Sequence, residues 1–189
     1  MSIEQGKNLA GVGALLLVIG TFVPFLGIVG IILVLVGLKD LSEAFNDNSI
    51  FQNALYALVF GIIGIAAAAF IVMSLIFGVA LFGAAIGPSG SLTGGILGAI
   101  AGIFVALVVA FVFLILEAIY FRKAFDTLAS KTHISTFSTA GTILFIGAIL
   151  TIILVGLLLI LVAWILATVA FFSIQMPAQS QVSQQPSQA

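Results

Sequence analysis

Apolar residues run along this chain in long blocks, and the polar residues gather between them. The first block, residues 9–38, would make one helix about 45 Å long, against a bilayer hydrocarbon core of about 30 Å. Gly20, Pro24 and Gly27 fall near its middle. Proline inside a helix costs about 3 kcal/mol and restricts the residue before it. The block therefore divides into a helical hairpin, with spans at 4–22 and 25–45 and a tight turn around Pro24. Asn46-Asp47-Asn48-Ser49 ends the second span, since all three types favour caps and turns. A third span is placed at 49–80; it is long enough to tilt or to project beyond the bilayer. Residues 87–95, glycine-rich and uncharged, read as the clearest loop. A fourth span, 95–121, passes into Arg122-Lys123-Ala124-Phe125-Asp126. Residues 134–174 would reach roughly 60 Å as one helix. Thr151 and Gly156 near the centre give a weak turn signal, and the block divides into spans at 136–153 and 156–175. The tail, 176–189, is built of Gln, Ser, Ala and Pro with little else and is expected to be disordered and cytosolic.

The charges turn these six spans into a topology. They cluster at the N-terminus, near residues 39–47 and near residues 117–131. Paired spans bring all three clusters, with both termini, to one face. Every lysine and arginine is on it: Lys7, Lys39, Arg122, Lys123 and Lys131. The excess of basic residues in cytosolic loops makes that face cytosolic. The predicted fold is an all-α polytopic bundle of about six transmembrane spans in three hairpins, with turns near Pro24 and 151–156 on the far side. Four spans would need one helix far too long for the bilayer. Eight would require turns within 50–121 that the sequence does not mark.

Composition supports the same class. Of 189 residues, 63% are hydrophobic and 6% charged, and mean hydropathy is +1.43. A soluble fold carries about 25% charged residues and could not cover its surface with so few. The net charge of -1 leaves no basic patch for nucleic acid. With no cysteine, disulfides, thiolate metal sites and cysteine nucleophiles are excluded.

Chemistry-bearing residues are few. Gly94, Gly98, Gly102, Ala106 and Ala110 place a small residue every four positions along span four, the pattern that lets another helix approach closely. Span three carries a matching set in Ala57, Gly61, Gly64 and Ala68, so the two are expected to pack on each other; a homodimer face is the alternative. Glu117 is the one carboxylate embedded in an apolar run. Such residues are functional candidates. Five residues before Arg122, it would lie only about 7 Å inside the helix end. An interfacial or structural role is therefore the expectation, with contact to an ion or substrate, and then a catalytic role, as the alternatives. Asp40, Glu43 and Asp47 would share one helix face. With Asp126 they could approach a divalent cation, but a solvated acidic face is the expectation. Together with Lys39, Arg122 and Lys123 they make up the cytosolic charged loops. Arg122 and Asp126 are spaced for an i,i+4 pair. His133 stands alone in a loop, and Trp164 falls mid-span, where it packs against a helix. No catalytic constellation, metal site or cofactor motif is present in the sequence. A faint echo relates Ile19-Gly20 and Gly27 to Ile146-Gly147 and Gly156, as duplicated hairpins or as a shared apolar composition.

Several short strings are similar to a known family. They are Gly37-Leu38-Lys39-Asp40-Leu41, Ile50-Phe51 with Asn53-Ala54-Leu55-Tyr56, Phe121-Arg122-Lys123 with Phe125-Asp126, and Trp164 with Phe171-Phe172-Ser173-Ile174. Through them the chain resembles the small archaeal membrane proteins grouped as domain of unknown function 996, over residues 5–175. The resemblance implies an archaeal multi-pass protein of the cell membrane and assigns no catalytic residues. The expected function is that of a non-enzymatic membrane protein, acting through helix packing or association with lipid, other membrane proteins or itself. A small-solute or ion channel or transporter is the alternative, and an intramembrane enzyme the next.

Overall fold

A computed structural model describes residues 3–77 and 92–175 of the protein. Among the described residues the chain is helical and contains no strand. The helices are α1 (Ile3–Gly20), α2 (Pro24–Ala44), α3 (Ser49–Phe77), α4 (Leu92–Thr132), α5 (Ser135–Leu150) and α6 (Val155–Phe172). A 3-10 turn, Thr151–Ile153, joins the last two. Five helices, α2 to α6, are long and apolar enough to cross a membrane. In α1, Glu4, Gln5, Lys7 and Asn8 make the first turns polar.

Local chemistry explains the breaks. Pro24 stands at the start of α2, where its missing N–H would have had no helical partner. Asn46 and His133 take positive φ angles of 51° and 57° after α2 and α4, and Leu154 does so at 62° before α6. Ser49 donates from its backbone N–H and its hydroxyl to the Asp47 carboxylate, at 3.1 and 2.7 Å, at the start of α3.

Each helix packs on its neighbours in sequence, and α1 packs on α6, so the six close into a ring. Small residues set the tightest contacts. A Cβ on Gly13 would stand 2.6 Å from the Val34 nitrogen, and one on Gly30 2.8 Å from the Gly13 carbonyl. One on Gly37 would stand 2.6 Å from the Gly6 carbonyl. At the turn between α1 and α2, Gly20 lies against Gly27, 2.5 Å from where its Cβ would be. Between α5 and α6, a Cβ on Gly147 would meet the Gly156 carbonyl at 3.0 Å. The two members of the sequence echo thus occupy equivalent places, each a glycine pair where two successive helices meet near their turn. Such close backbone approach gives van der Waals contact along the helices, the kind of contact that holds apolar helices together where water does not drive them.

One end of the ring is filled and charged. Its core gathers Leu38, Leu41, Ile50, Leu128 and the rings of Phe125, Phe137 and Phe171. Phe121 and Phe125 of α4 reach across to Trp164 of α6, with ring centroids 5.3 and 6.1 Å away and near-perpendicular planes. Phe137 and Phe171 meet edge to face at 5.0 Å. Beyond this layer, Lys7 donates to the Ile174 carbonyl at 3.0 Å, and Lys131 pairs with Asp47 at 3.0 Å.

The structure corrects several expectations. α4 does not end at 121 but continues to Thr132, so Arg122, Lys123 and Asp126 are helical and not in a loop. Their neighbours Phe121, Phe125 and Leu128 supply the apolar face that keeps the helix going. Lys39, Asp40 and Glu43 likewise belong to α2. Asp40 is not on a solvated acidic face: it is 1% exposed, packed against Gly6 of α1, while Glu43 on the same turn is exposed. The last residues of the expected loop at 87–95 form the start of α4. The rest of that loop, residues 78–80 of the third span and the tail at 176–189 lie outside the described residues.

Candidate functional site

Above the aromatic layer the ring loosens, and Glu117 stands at that level. Its helix neighbours Ala118 and Phe121 are buried, and its carboxylate lies against α3. There Gly61 leaves room: a Cβ at that position would stand 3.0 Å from the carboxylate carbon. One turn on, a Cβ added at Gly64 would stand 3.5 Å from Phe113 Cβ, and Ala57 is buried. The small residues of α3 therefore pack on residues 110–118 of α4. Of the α4 stripe, Ala106 is buried, and Gly102 and Ala110 are partly so. Gly94 and Gly98 lie on α4, and their packing is outside what is described.

Glu117 lines three cavities. One of about 380 Å³ lies between α3, α4 and the α5–α6 turn, with Gly64, Ala110, Leu114 and Thr151 in its wall. One of about 610 Å³ lies between α3 and the α1–α2 pair, with Gly20, Pro24, Ile31, Ile65 and Trp164. A small one of about 50 Å³ continues toward Phe121 and Trp164. Among the described residues no other ionisable side chain lines any of them. Among the described residues Glu117 makes no hydrogen bond and no ion pair. The nearest basic residues along α4 are engaged elsewhere. Arg122 pairs with Asp126 at 3.7 Å and lies over the Phe145 ring at 5.6 Å. Lys123 lies over Tyr120 at 4.7 Å. Thr151 gives its hydroxyl proton to the Gly147 carbonyl at 2.9 Å, which leaves its oxygen facing Glu117's cavity only as an acceptor.

The remaining acidic residues are held apart. Asp47 binds Ser49 and Lys131; the Ser49 hydroxyl above all, then the Lys131 ammonium, holds its carboxyl below the usual aspartate range. Asp126 accepts from the Ser138 hydroxyl at 2.7 Å. Asp40 Oδ2 has no hydrogen-bond partner. Among the described residues no group of three or more His, Asp or Glu side chains gathers that could hold a metal ion. His133 is exposed at the α4–α5 turn.

Two features are not evident from residue spacing as read above. The burial of Asp40 had no signal, because its position beside Lys39 reads as a polar helix end. The close α1–α2 contact had one: Gly6, Gly13 and Gly20 recur every seven residues, as do Gly30 and Gly37.

The described molecule is an all-helical bundle with five helices of membrane-crossing length and apolarity and one unpaired carboxylate among its cavities. The chain belongs to the family described as Protein of unknown function (DUF996), which it matches over residues 26–165. It is 30% identical over 179 residues to an uncharacterised protein of the archaeon Methanocaldococcus jannaschii, covering 92% of this chain and 94% of that one. No solved structure matches it.

Proposed function

We propose that this is a six-helix integral protein of the cell membrane, arranged as three hairpins with both termini cytosolic, that carries a small solute bound at Glu117. The observation that carries the reading is the carboxylate without a partner at the meeting point of three cavities. An isolated ionised group is costly in a low-dielectric setting, and a bound cation or a proton removes that cost. The aromatic layer of Phe121, Phe125, Phe137, Phe171 and Trp164 closes the cavities toward the cytosolic end, as one gate of a carrier would. Carriers place their binding groups within the bilayer, among interrupted helices. Binding is favoured over catalysis because general acid–base chemistry commonly needs a second ionisable group, and the cavity walls offer none. It is favoured over association alone because helix packing does not require a carboxylate at that place.

The test is flux in proteoliposomes. Vesicles containing wild-type protein and a trapped pH-sensitive dye should dissipate an imposed proton or cation gradient faster than empty vesicles. Glu117→Gln, reconstituted at equal density and monodisperse in detergent, should match empty vesicles. Equal rates for wild type, variant and empty vesicles would reject the carrier and return packing or association to first place.

A further inference from the structure

The cavity that holds Glu117 also indicates what it would take and from where. We propose that it binds a lipophilic monovalent cation, an ammonium or phosphonium centre carrying its own apolar body, and that this ligand enters from the hydrocarbon of the bilayer. The proposal rests on the carrier reading above and specifies its ligand.

The depth of the cavity mouth gives the route. On the cytosolic side, the tilted rings of Tyr56 and Tyr120 pack with centroids 5.3 Å apart, and Lys123 lies over Tyr120, an arrangement suited to a headgroup layer. From Tyr120 back to Ile100, α4 rises about 30 Å, one hydrocarbon thickness. The α1–α2 and α5–α6 turns do not reach that far. They meet the α3–α4 pair at the level of the Glu117 cavities, whose outermost wall residues are Ala68 and Leu107. Beyond Ala68, α3 continues to Phe77 for about 14 Å, and α4 extends from Leu107 back to Leu92 for about 22 Å. Val72, Met73, Ile100, Phe104 and Val105 in these stretches are exposed and apolar, while Ala106 is buried. The two turns are apolar as well: Phe22, Phe25, Ile152, Ile153 and Leu154 are exposed. Both turns therefore end inside the bilayer, beside the α3–α4 wall, and the cavity between them opens to lipid.

The lining gives the chemistry. Apart from Glu117 and Thr151, the walls of the two larger cavities are aliphatic, aromatic, glycine or proline. A metal cation stripped of water needs about six oxygen ligands, and this lining cannot supply them. An organic cation needs one counter-charge, because its own carbon shell is content against Ile, Leu and Ala. An anion is repelled by Glu117, and a neutral lipid makes no use of the carboxylate. Trp164 lines the same cavity as Glu117 and adds an aromatic surface to which cations are attracted. The volume of about 610 Å³ lies within the range of sites for drug-sized ligands. Among the described residues no lysine, arginine, histidine or second carboxylate faces these cavities, so protons compete with the ligand at Glu117.

The experiment is equilibrium binding of radiolabelled tetraphenylphosphonium to the full chain in lipid nanodiscs. Wild type should bind it saturably, near one per chain, and more weakly at pH 5 than at pH 8, because a proton at Glu117 removes the counter-charge. Glu117→Gln should lose at least tenfold in affinity while keeping its helical circular dichroism and elution position. Glu117→Asp should bind detectably and keep the pH dependence. Glu43→Gln, on the exposed end of α2, should bind as wild type does. Should Glu117→Gln fail to fold, the pH dependence of wild type and Glu117→Asp decides. Absence of saturable binding, equal binding by folded wild type and Glu117→Gln, or equally effective competition by sodium or calcium would overturn the proposal. Glu117-dependent proton flux without phosphonium binding would reject this ligand class and leave the carrier standing. Failure of both measurements would reject both.

Discussion

At the scale of single residues, two aspartates only seven positions apart obey opposite rules. Asp47 is held by Ser49 and Lys131, outside the apolar spans, and its carboxyl is held below the ordinary aspartate range. A depressed folded value means that the stabilisation is present above the unfolded value of about 4 and is lost as pH falls through the folded one. Asp47→Asn should therefore lower the thermal midpoint at pH 7 and leave it unchanged at about pH 2, as measured by dye-reported unfolding in detergent. An equal drop at both values would show that only the turn geometry matters. Asp40 is buried with one oxygen unpartnered. An unsatisfied buried polar group costs about 1–3 kcal/mol, more when charged. Asp40→Asn keeps the shape beside Gly6 and removes the charge, so the midpoint should rise. A fall would mean that the carboxylate has a stabilising role that the fold does not reveal.

At the scale of helices, the fold depends on where a Cβ can be added. A Cβ on Gly20 would come within 2.5 Å of Gly27 backbone atoms, whereas one on Gly27 would find its nearest neighbour at 3.7 Å. Gly20→Ala should therefore cost about 1–3 kcal/mol, the range for overpacking, and Gly27→Ala should be close to neutral. Chemical unfolding in mixed micelles compares the two directly, and equal effects would remove the close contact as the reason. The same logic separates Gly61 from Gly64. At Gly61 the obstacle is the end of the Glu117 side chain, 3.0 Å from the added carbon; at Gly64 it is Phe113 Cβ at an ordinary 3.5 Å. Gly61→Ala should shift phosphonium affinity with little change in stability, and Gly64→Ala should change neither. The α5–α6 turn is hard to see in the sequence for a related reason. Its left-handed residue is Leu154, not glycine or asparagine, so the local sequence carries no marker of the backbone it adopts.

At the scale of the whole molecule, the three helix pairs differ in reach, and labelling can measure that. The chain has no cysteine, so single cysteines report cleanly. With a membrane-impermeant thiol reagent on intact cells, a cysteine at Ser89 should be labelled and one at Ser180 should not. Labelling at 180 alone would invert the proposed orientation. On the proposal that its turn ends within the bilayer, a cysteine at Phe22 should resist the polar reagent and react with a lipid-soluble one. Ready labelling of Phe22 by the polar reagent would mean that the α1–α2 pair crosses completely, and the lipid-facing mouth would then be lost.

By itself the sequence determined those features that local chemistry and solvent preference dictate. Blocks of apolar residues longer than a bilayer is thick must be helical and must be interrupted. Pro24 and Asn46-Asp47-Asn48-Ser49 mark where, through a missing N–H and through side chains that compete for backbone partners. Glu117 stands out as soon as its apolar neighbours are read. Only the tertiary structure decided which groups lie beside each residue. The i,i+4 spacing of Arg122 and Asp126 is legible, but the continuation of α4 past them depends on aromatic partners in α5 and α6. The seven-residue glycine repeat of α1 becomes a contact only when α2 lies along it. Nothing local separates Asp40, buried against α1, from Glu43, one turn further on and exposed. Glu117 can be counted from its helix end, but its depth depends on how far α3 and α4 run past the neighbouring turns. Its role depends on three cavities walled by residues from all six helices and the α5–α6 turn. Sequence spacing reports position along one helix; burial and cavities arise from distances between helices, and those exist only once the ring has closed.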